Sequence, residues 1–280
     1  MLRLLAAIIT LQATFSAHTE IVSVPVSVTD SGGNVVRGLP RDAFRVREDG
    51  KPRPIELFEQ GDGPAGIGVV ADYSQSMRPD VATMASGIAE LAGTMSSRDE
   101  FFVLPFNDEP PSPSRMLRTT DANVIGRFFS ETLPAGGTAL YDGLVAGLQG
   151  LQQSPLEKRG LIVISDGGDN ASRHTLEEVV QLARRSNAVI YAVVIARAPR
   201  DRRGEDILRR LARDTGGLTK VARPSEIGAV LTQFGADMRA QYLIGFVPGG
   251  GTKETKTIEV TVTTAEPRVL RVRARSSYSR

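Results

Sequence analysis

Five oxygen-bearing side chains, spread over three short segments, could do chemistry in this sequence. The apolar run Ile67–Ala71 leads straight into Asp72-Tyr73-Ser74-Gln75-Ser76, which offers one carboxylate and two hydroxyls from a single turn. Gly136-Gly137-Thr138 precedes a helix expected to begin near Leu140, and Leu161–Ile164 runs into Ser165-Asp166-Gly167. Ligands of open α/β sheets bind outside the carboxyl ends of the strands, near the point where strand order reverses. Asp72, Ser74, Ser76, Thr138 and Asp166 are therefore the candidate residues. Taken singly, Asp72, Ser74 and Ser76 also read as helix N-caps with no ion, and Asp166-Gly167 as a plain turn.

Those segments need strands and helices to hold them. Ile67–Ala71, Phe101–Phe106, Leu161–Ile164 and Val189–Ile195 are nearly continuous apolar runs, as expected of strands buried on both faces of a parallel sheet. Helical spacing links Val81, Met84, Ala85, Ile88, Leu91, Ala92 and Met95, then Leu176, Val179, Val180 and Ala183, then Ile207, Leu208 and Leu211, and lastly Ile227, Val230, Leu231, Phe234 and Met238. The alternation predicts a doubly wound α/β domain over 62–240.

Both ends of the chain have period two instead. Val22, Val24, Val26 and Val28 share one face, as do Ile258, Val260 and Val262, and Leu270, Val272 and Ala274. Pro25 lacks a ladder donor and argues for an edge strand. Neither end has enough strands to bury a face alone. The expectation is that 18–61 and 241–280 pair into one small β-sandwich carrying the α/β domain as an insertion; two separate flanking β-pieces are the competing arrangement.

Composition narrows the chemistry. The 280 residues carry 34 basic and 32 acidic side chains, a balance that gives no reason to expect nucleic acid. Cysteine is absent and there are only two histidines, which excludes disulfides, thiolate or imidazole metal clusters, thiol catalysis and a cysteine-linked lipid anchor. Met1–Ala17 has Arg3 ahead of an apolar run from Leu4 to Leu11, then Ser16 and Ala17, the order of a secretory signal peptide. The expected product is secreted or periplasmic, with no transmembrane segment after cleavage.

With D-x-S-x-S at Asp72–Ser76, a threonine at 138 and an aspartate at 166, the chain resembles the von Willebrand factor A domain and its metal-ion-dependent adhesion site. The resemblance implies that Ser74, Ser76 and Thr138 reach the metal by hydroxyl while Asp72 and Asp166 hold coordinating waters. It extends to bacterial exported proteins related to that family, through Glu48-Asp49-Gly50 and the tyrosine-led strand Gln241–Phe246. Magnesium prefers six oxygens and keeps its waters. Hydroxyl ligands backed by carboxylates leave it electrophilic, with one position open to a carboxylate. The expected cofactor is Mg2+ (or Mn2+ or Ca2+), and the expected partner a protein presenting Asp or Glu. Without His or Cys, zinc, copper and iron fit poorly.

An enzyme is not expected. A serine hydrolase through Ser74 or Ser165 lacks the G-x-S-x-G elbow, and His174 reads as a cap or surface residue. No phosphate-binding glycine motif is present. A structural envelope module with a metal-stabilised loop is the other reading. The seven arginines from Arg197 to Arg213 read as solvated surface, and Arg271, Arg273 and Arg275 as charges that blunt an edge strand.

Overall fold

A computed structural model describes residues 21–61, 63–111, 113–131, 133–196, 202–264 and 268–279. The expected signal peptide therefore lies outside the described residues. In chain order, the N-terminal segment forms β1 (Val22–Thr29), β2 (Phe44–Glu48), β3 (Lys51–Arg53) and β4 (Leu57–Glu59). The central segment runs β5 (Ala65–Asp72), α1 (Val81–Gly93), β6 (Glu100–Phe106), α2 (Ala122–Ser130), α3 (Leu140–Gln152), β7 (Lys158–Ser165), α4 (Leu176–Ser186), β8 (Val189–Ile195), α5 (Arg202–Thr215), β9 (Thr219–Ala222) and α6 (Ile227–Arg239). The chain ends in β10 (Tyr242–Phe246), β11 (Thr255–Val262), β12 (Arg271–Ala274) and β13 (Ser277–Ser279).

The central strands form a parallel sheet in the order β6-β5-β7-β8-β9. Helices cover both faces, which is why these strands read as unbroken apolar runs. One core joins β5 side chains such as Ile67 and Val69 to Met84 and Ile88 of α1 and to Leu231 and Phe234 of α6. The other joins Val70 and Val163 to Leu144 and Leu148 of α3, Val179 of α4 and Leu208 of α5. Strand order reverses at β5, so the crevice between the ends of β5 and β7 is the switch point.

The terminal segments form two antiparallel four-stranded sheets, β12-β1-β10-β4 and β13-β11-β2-β3. Each mixes strands from both ends of the chain: β1 pairs with β10 and β12, and β2 with β11. The four valines of β1 enter the core between the sheets with Phe44, Tyr242 and Phe246. The tight β2–β3 turn needs left-handed backbone at two successive residues, met by Asp49 (φ 47°) and Gly50 (φ 77°).

Two expectations change. β1 is an interior strand rather than an edge; Pro25 is tolerated because β12 pairs only from Val26 onward. Ser23 and Ser27, on the face opposite the valines, are also buried, because that face docks on the α/β domain.

The docking is polar and lies at the amino-terminal ends of the parallel strands. Asp237 of α6 accepts from Tyr191 Oη at 2.6 Å, Arg273 Nη2 at 2.6 Å and Ser27 Oγ at 3.2 Å. The Lys158 ammonium donates to the carbonyls of Gly61 and Arg239, tying down both crossings between the domains. Arg275 donates to Asn187 Oδ1 and to the Arg184 carbonyl, and burial lowers its pKa to about 10. Arg273 and Arg275 thus fasten the sandwich to the α/β domain instead of merely blunting an edge.

Candidate metal centre

Asp72 is the last residue of β5 and is fully buried. Its Oδ1 accepts from the Ser74 N–H at 3.0 Å and its Oδ2 from Ser165 Oγ at 2.7 Å. Ser165 Oγ in turn accepts from the Gly167 N–H at 3.0 Å. One hydroxyl thereby joins the ends of β5 and β7 across the switch point. Burial pushes the Asp72 carboxyl up to about 6 against the hydrogen bonds from Ser74 and Ser165, and the nearby Asp166 charge adds to the rise.

Ser74 and Ser76 open the short helical turn Gln75–Asp80 that leads into α1. Their hydroxyls lie 3.1 Å apart, and Ser76 Oγ donates to Asp166 Oδ2 at 2.6 Å. The Ser74 side chain makes no capping bond to that turn, against the reading of these residues as N-caps. The left-handed Gly167 (φ 98°) turns the chain just after Asp166. Asp72, Ser74, Ser76 and Asp166 are therefore contiguous through hydrogen bonds.

Thr138 arrives by its loop. Ala135 N–H donates to the Tyr73 carbonyl and Gln75 N–H to the Gly136 carbonyl, so 135–138 lies against 73–75. The Thr138 N–H donates to Asn170 Oδ1 at 2.9 Å, and its carbonyl accepts from the N–H groups of Asn170 and Ala171. Its hydroxyl makes no hydrogen bond among the described residues.

Residues that sequence reasoning passed over hold this loop. Asp169 Oδ1 accepts from Leu140 N–H, and Ser172 Oγ from Tyr141 and Asp142 N–H, so 169–172 caps the first turn of α3. Asp142 answers from α3 by accepting from the N–H groups of Arg173 and His174 and from the His174 ring, 2.8 Å away. Burial would raise the Asp142 carboxyl, but these bonds outweigh it and hold it below the usual range. Only the Asp-Asn-Ala-Ser run after Gly167 hinted at such side-chain-to-backbone capping.

A hard cation suits this donor set. Two carboxylates and the hydroxyls of Ser74, Ser76 and Thr138 are all oxygen, and no cluster of three or more His, Cys, Asp or Glu side chains able to hold a metal occurs among the described residues. With at most two carboxylates at hand, an ion here would fill its remaining positions with hydroxyls and water, as magnesium can.

No protein-family profile matches the sequence, and no curated protein matches it. Solved structures do match in fold. A von Willebrand factor type A protein from Catenulispora acidiphila aligns over 95% of this chain and 75% of its own, with TM-score 0.52 and 12% identity. The proximal thread matrix protein 1 of the mussel byssus, in a form whose adhesion-site motif is occupied by zinc, aligns over 67% with TM-score 0.50 and 17% identity. The pilus adhesin SpaC from Lactobacillus rhamnosus GG, in an open conformation, aligns over 88% with TM-score 0.50 and 11% identity. The chain spans 48% and 49% of the byssus and pilus proteins.

Proposed function

We propose that this chain, whose central domain has the von Willebrand factor A fold, binds one divalent cation at the Asp72–Ser74–Ser76–Thr138–Asp166 crevice and uses it to capture a protein carboxylate. The observation that carries the reading is the hydrogen-bonded chain from Asp72 through Ser165 and from Ser74 through Ser76 to Asp166, set at the switch point of the sheet. Ser74, Ser76 and Thr138 would offer hydroxyl ligands, and Asp72 and Asp166 would orient bound water and balance the charge. The bound ion supplies an electrophilic position for an Asp or Glu side chain. Magnesium is the preferred ion, with manganese or calcium as substitutes.

We infer a non-catalytic role. The Ser74 hydroxyl lies against Ser76 and that of Ser165 against Asp72, while the His174 ring is engaged with Asp142, so neither serine is paired with an imidazole as in a serine-hydrolase triad. The expected signal peptide supports action outside the cytoplasm. Among the described residues no helix is long and apolar enough to cross a membrane.

The test is magnesium titration calorimetry, followed by capture of partners from an extracellular or periplasmic fraction with and without chelator. Asp72→Ala should abolish both metal binding and capture with the fold retained. Magnesium-independent capture by that variant would refute the proposal.

A further inference from the structure

We propose that an arginine-lined depression on the sandwich is a second, metal-independent docking site for an extended acidic peptide. The depression encloses about 930 Å³ where β2 and β3 part company. Their pairing ends at Val46 and Arg53, and beyond it Pro54 and Ile55 diverge from Phe44 and Arg45. Arg41, Arg45 and Arg47 line it and outnumber the acidic Asp42 and Glu259 there, with Pro40, Pro54 and Ile55 as apolar walls.

The guanidinium groups are poorly matched from within the chain. Arg41 and Arg47 are exposed and, among the described residues, their guanidinium groups make no hydrogen bond or ion pair. Arg45 donates through Nη1 to the carbonyls of Asp42 and Phe44, which leaves the rest of its fork open. Glu259 stands directly opposite Arg47 in the β2–β11 register, yet the two form no ion pair. Arg53 differs: its charge is spent on the buried Glu48, 2.5 Å away.

Geometry and charge select the occupant. Arg45 and Arg47 point from one face of β2, two residues and so roughly 7 Å apart. An extended peptide has the same repeat, so acidic side chains at alternate positions would meet both forks, and Arg recognises carboxylates bidentately. The apolar walls would cover its intervening side chains. β5 and β7 point their carboxyl ends at the metal centre, while the sandwich joins the α/β domain at their amino-terminal ends. The two sites therefore face different ends of the molecule, and one chain could bridge two partners.

The experiment is fluorescence anisotropy on the full chain with fluorescein-labelled (Glu-Thr)4, in EDTA. Binding should be salt-sensitive, unchanged in Asp72→Ala, and at least tenfold weaker in Arg41→Glu/Arg47→Glu, which should instead bind (Lys-Thr)4. Circular dichroism melts establish folding, and Arg41→Ala/Arg47→Ala gives the same reading should the double reversal not fold. Three results would overturn the site: no binding of the acidic peptide, binding indifferent to the arginine changes, or binding that requires magnesium and Asp72. The last would leave the metal reading intact. Tighter binding of an equally charged polyphosphate would overturn the peptide as occupant.

Discussion

Ser76 Oγ donates to Asp166 Oδ2 at 2.6 Å, linking residues 90 positions apart in sequence. That bond spans the crevice between the ends of β5 and β7. It sets one expected ligand hydroxyl against a carboxylate that accepts its hydrogen bond. Ser76 is exposed, so Ser76→Ala should cost little stability. It should weaken magnesium binding at least tenfold in calorimetry while Ser76→Thr, which keeps the hydroxyl, preserves it. Unchanged affinity in the alanine variant would remove Ser76 from the site.

Asp72 should make cation binding at the proposed site pH-dependent. Burial lifts its carboxyl to about 6, above the ordinary 3.8. The folded chain therefore holds this proton more tightly than the unfolded chain does. Between about pH 6 and 4 the metal-free protein should gain stability as pH falls, since only the native state takes up the proton there. Magnesium must displace that proton, so its affinity should fall about tenfold per unit below pH 6 and level off above pH 7. Calorimetry from pH 5 to 8 checks this, and a flat profile would show that Asp72 does not couple to the ion.

Much of this architecture was legible in the sequence because the two periodicities are clean. Apolar runs at Ile67–Ala71 and Leu161–Ile164 mark doubly covered strands, and alternation at Val22–Val28 marks a strand, although its serine face proves to be covered as well. Helix α2 was not legible: Gly126 interrupts its short stripe, and Asp121, which caps it through Asn123 and Val124 N–H, is one of many loop aspartates. β9 was missed for the same reason, having one fully buried side chain in four. The oxygens of Asp72, Ser74, Ser76 and Asp166 announce themselves by ending buried strands. Their supports, Asp142, Asp169 and Ser172, act on backbone groups about 30 residues away, and no local pattern encodes such a contact. The interface role of Arg273 and Arg275 was hidden likewise, because a charged stripe reads alike on a solvated edge and on a buried seam.

That seam should be the main energetic link between the two domains. Asp237 is buried among Arg273, Tyr191 and Ser27. Asp237→Ala strands the Arg273 charge at an interface where its side chain is 18% exposed, at an expected cost of about 3–5 kcal/mol. Asp237→Ala/Arg273→Ala should recover part of that loss, since no unpaired charge remains. Urea unfolding of the three proteins tests it. Magnesium affinity should change less than twofold, because the seam lies at the opposite end of the strands from Asp72. Wild-type stability in Asp237→Ala would mean that the network does not hold the domains together.

Gly204 offers a way to disturb the metal centre from outside its ligand set. It lies in the first turn of α5, and a Cβ at this position would overlap the Gly167 carbonyl. The obstacle is backbone, so a rotamer change cannot relieve it. Either α5 must withdraw or the Asp166-Gly167 turn must shift. The second response drags Asp166 from Ser76 and disturbs the Gly167 N–H bond to Ser165 that steadies Asp72. Gly204→Ala should therefore lower magnesium affinity several-fold, although residue 204 is not among the expected ligands. It should also lower the thermal midpoint, and added magnesium should restore less of that loss than it adds to the parent protein. Calorimetry and melting curves with and without magnesium read both effects. If stability fell and affinity stayed at the parent value, α5 alone would have moved, and the close approach of Gly204 to Gly167 would be packing with no bearing on the ion.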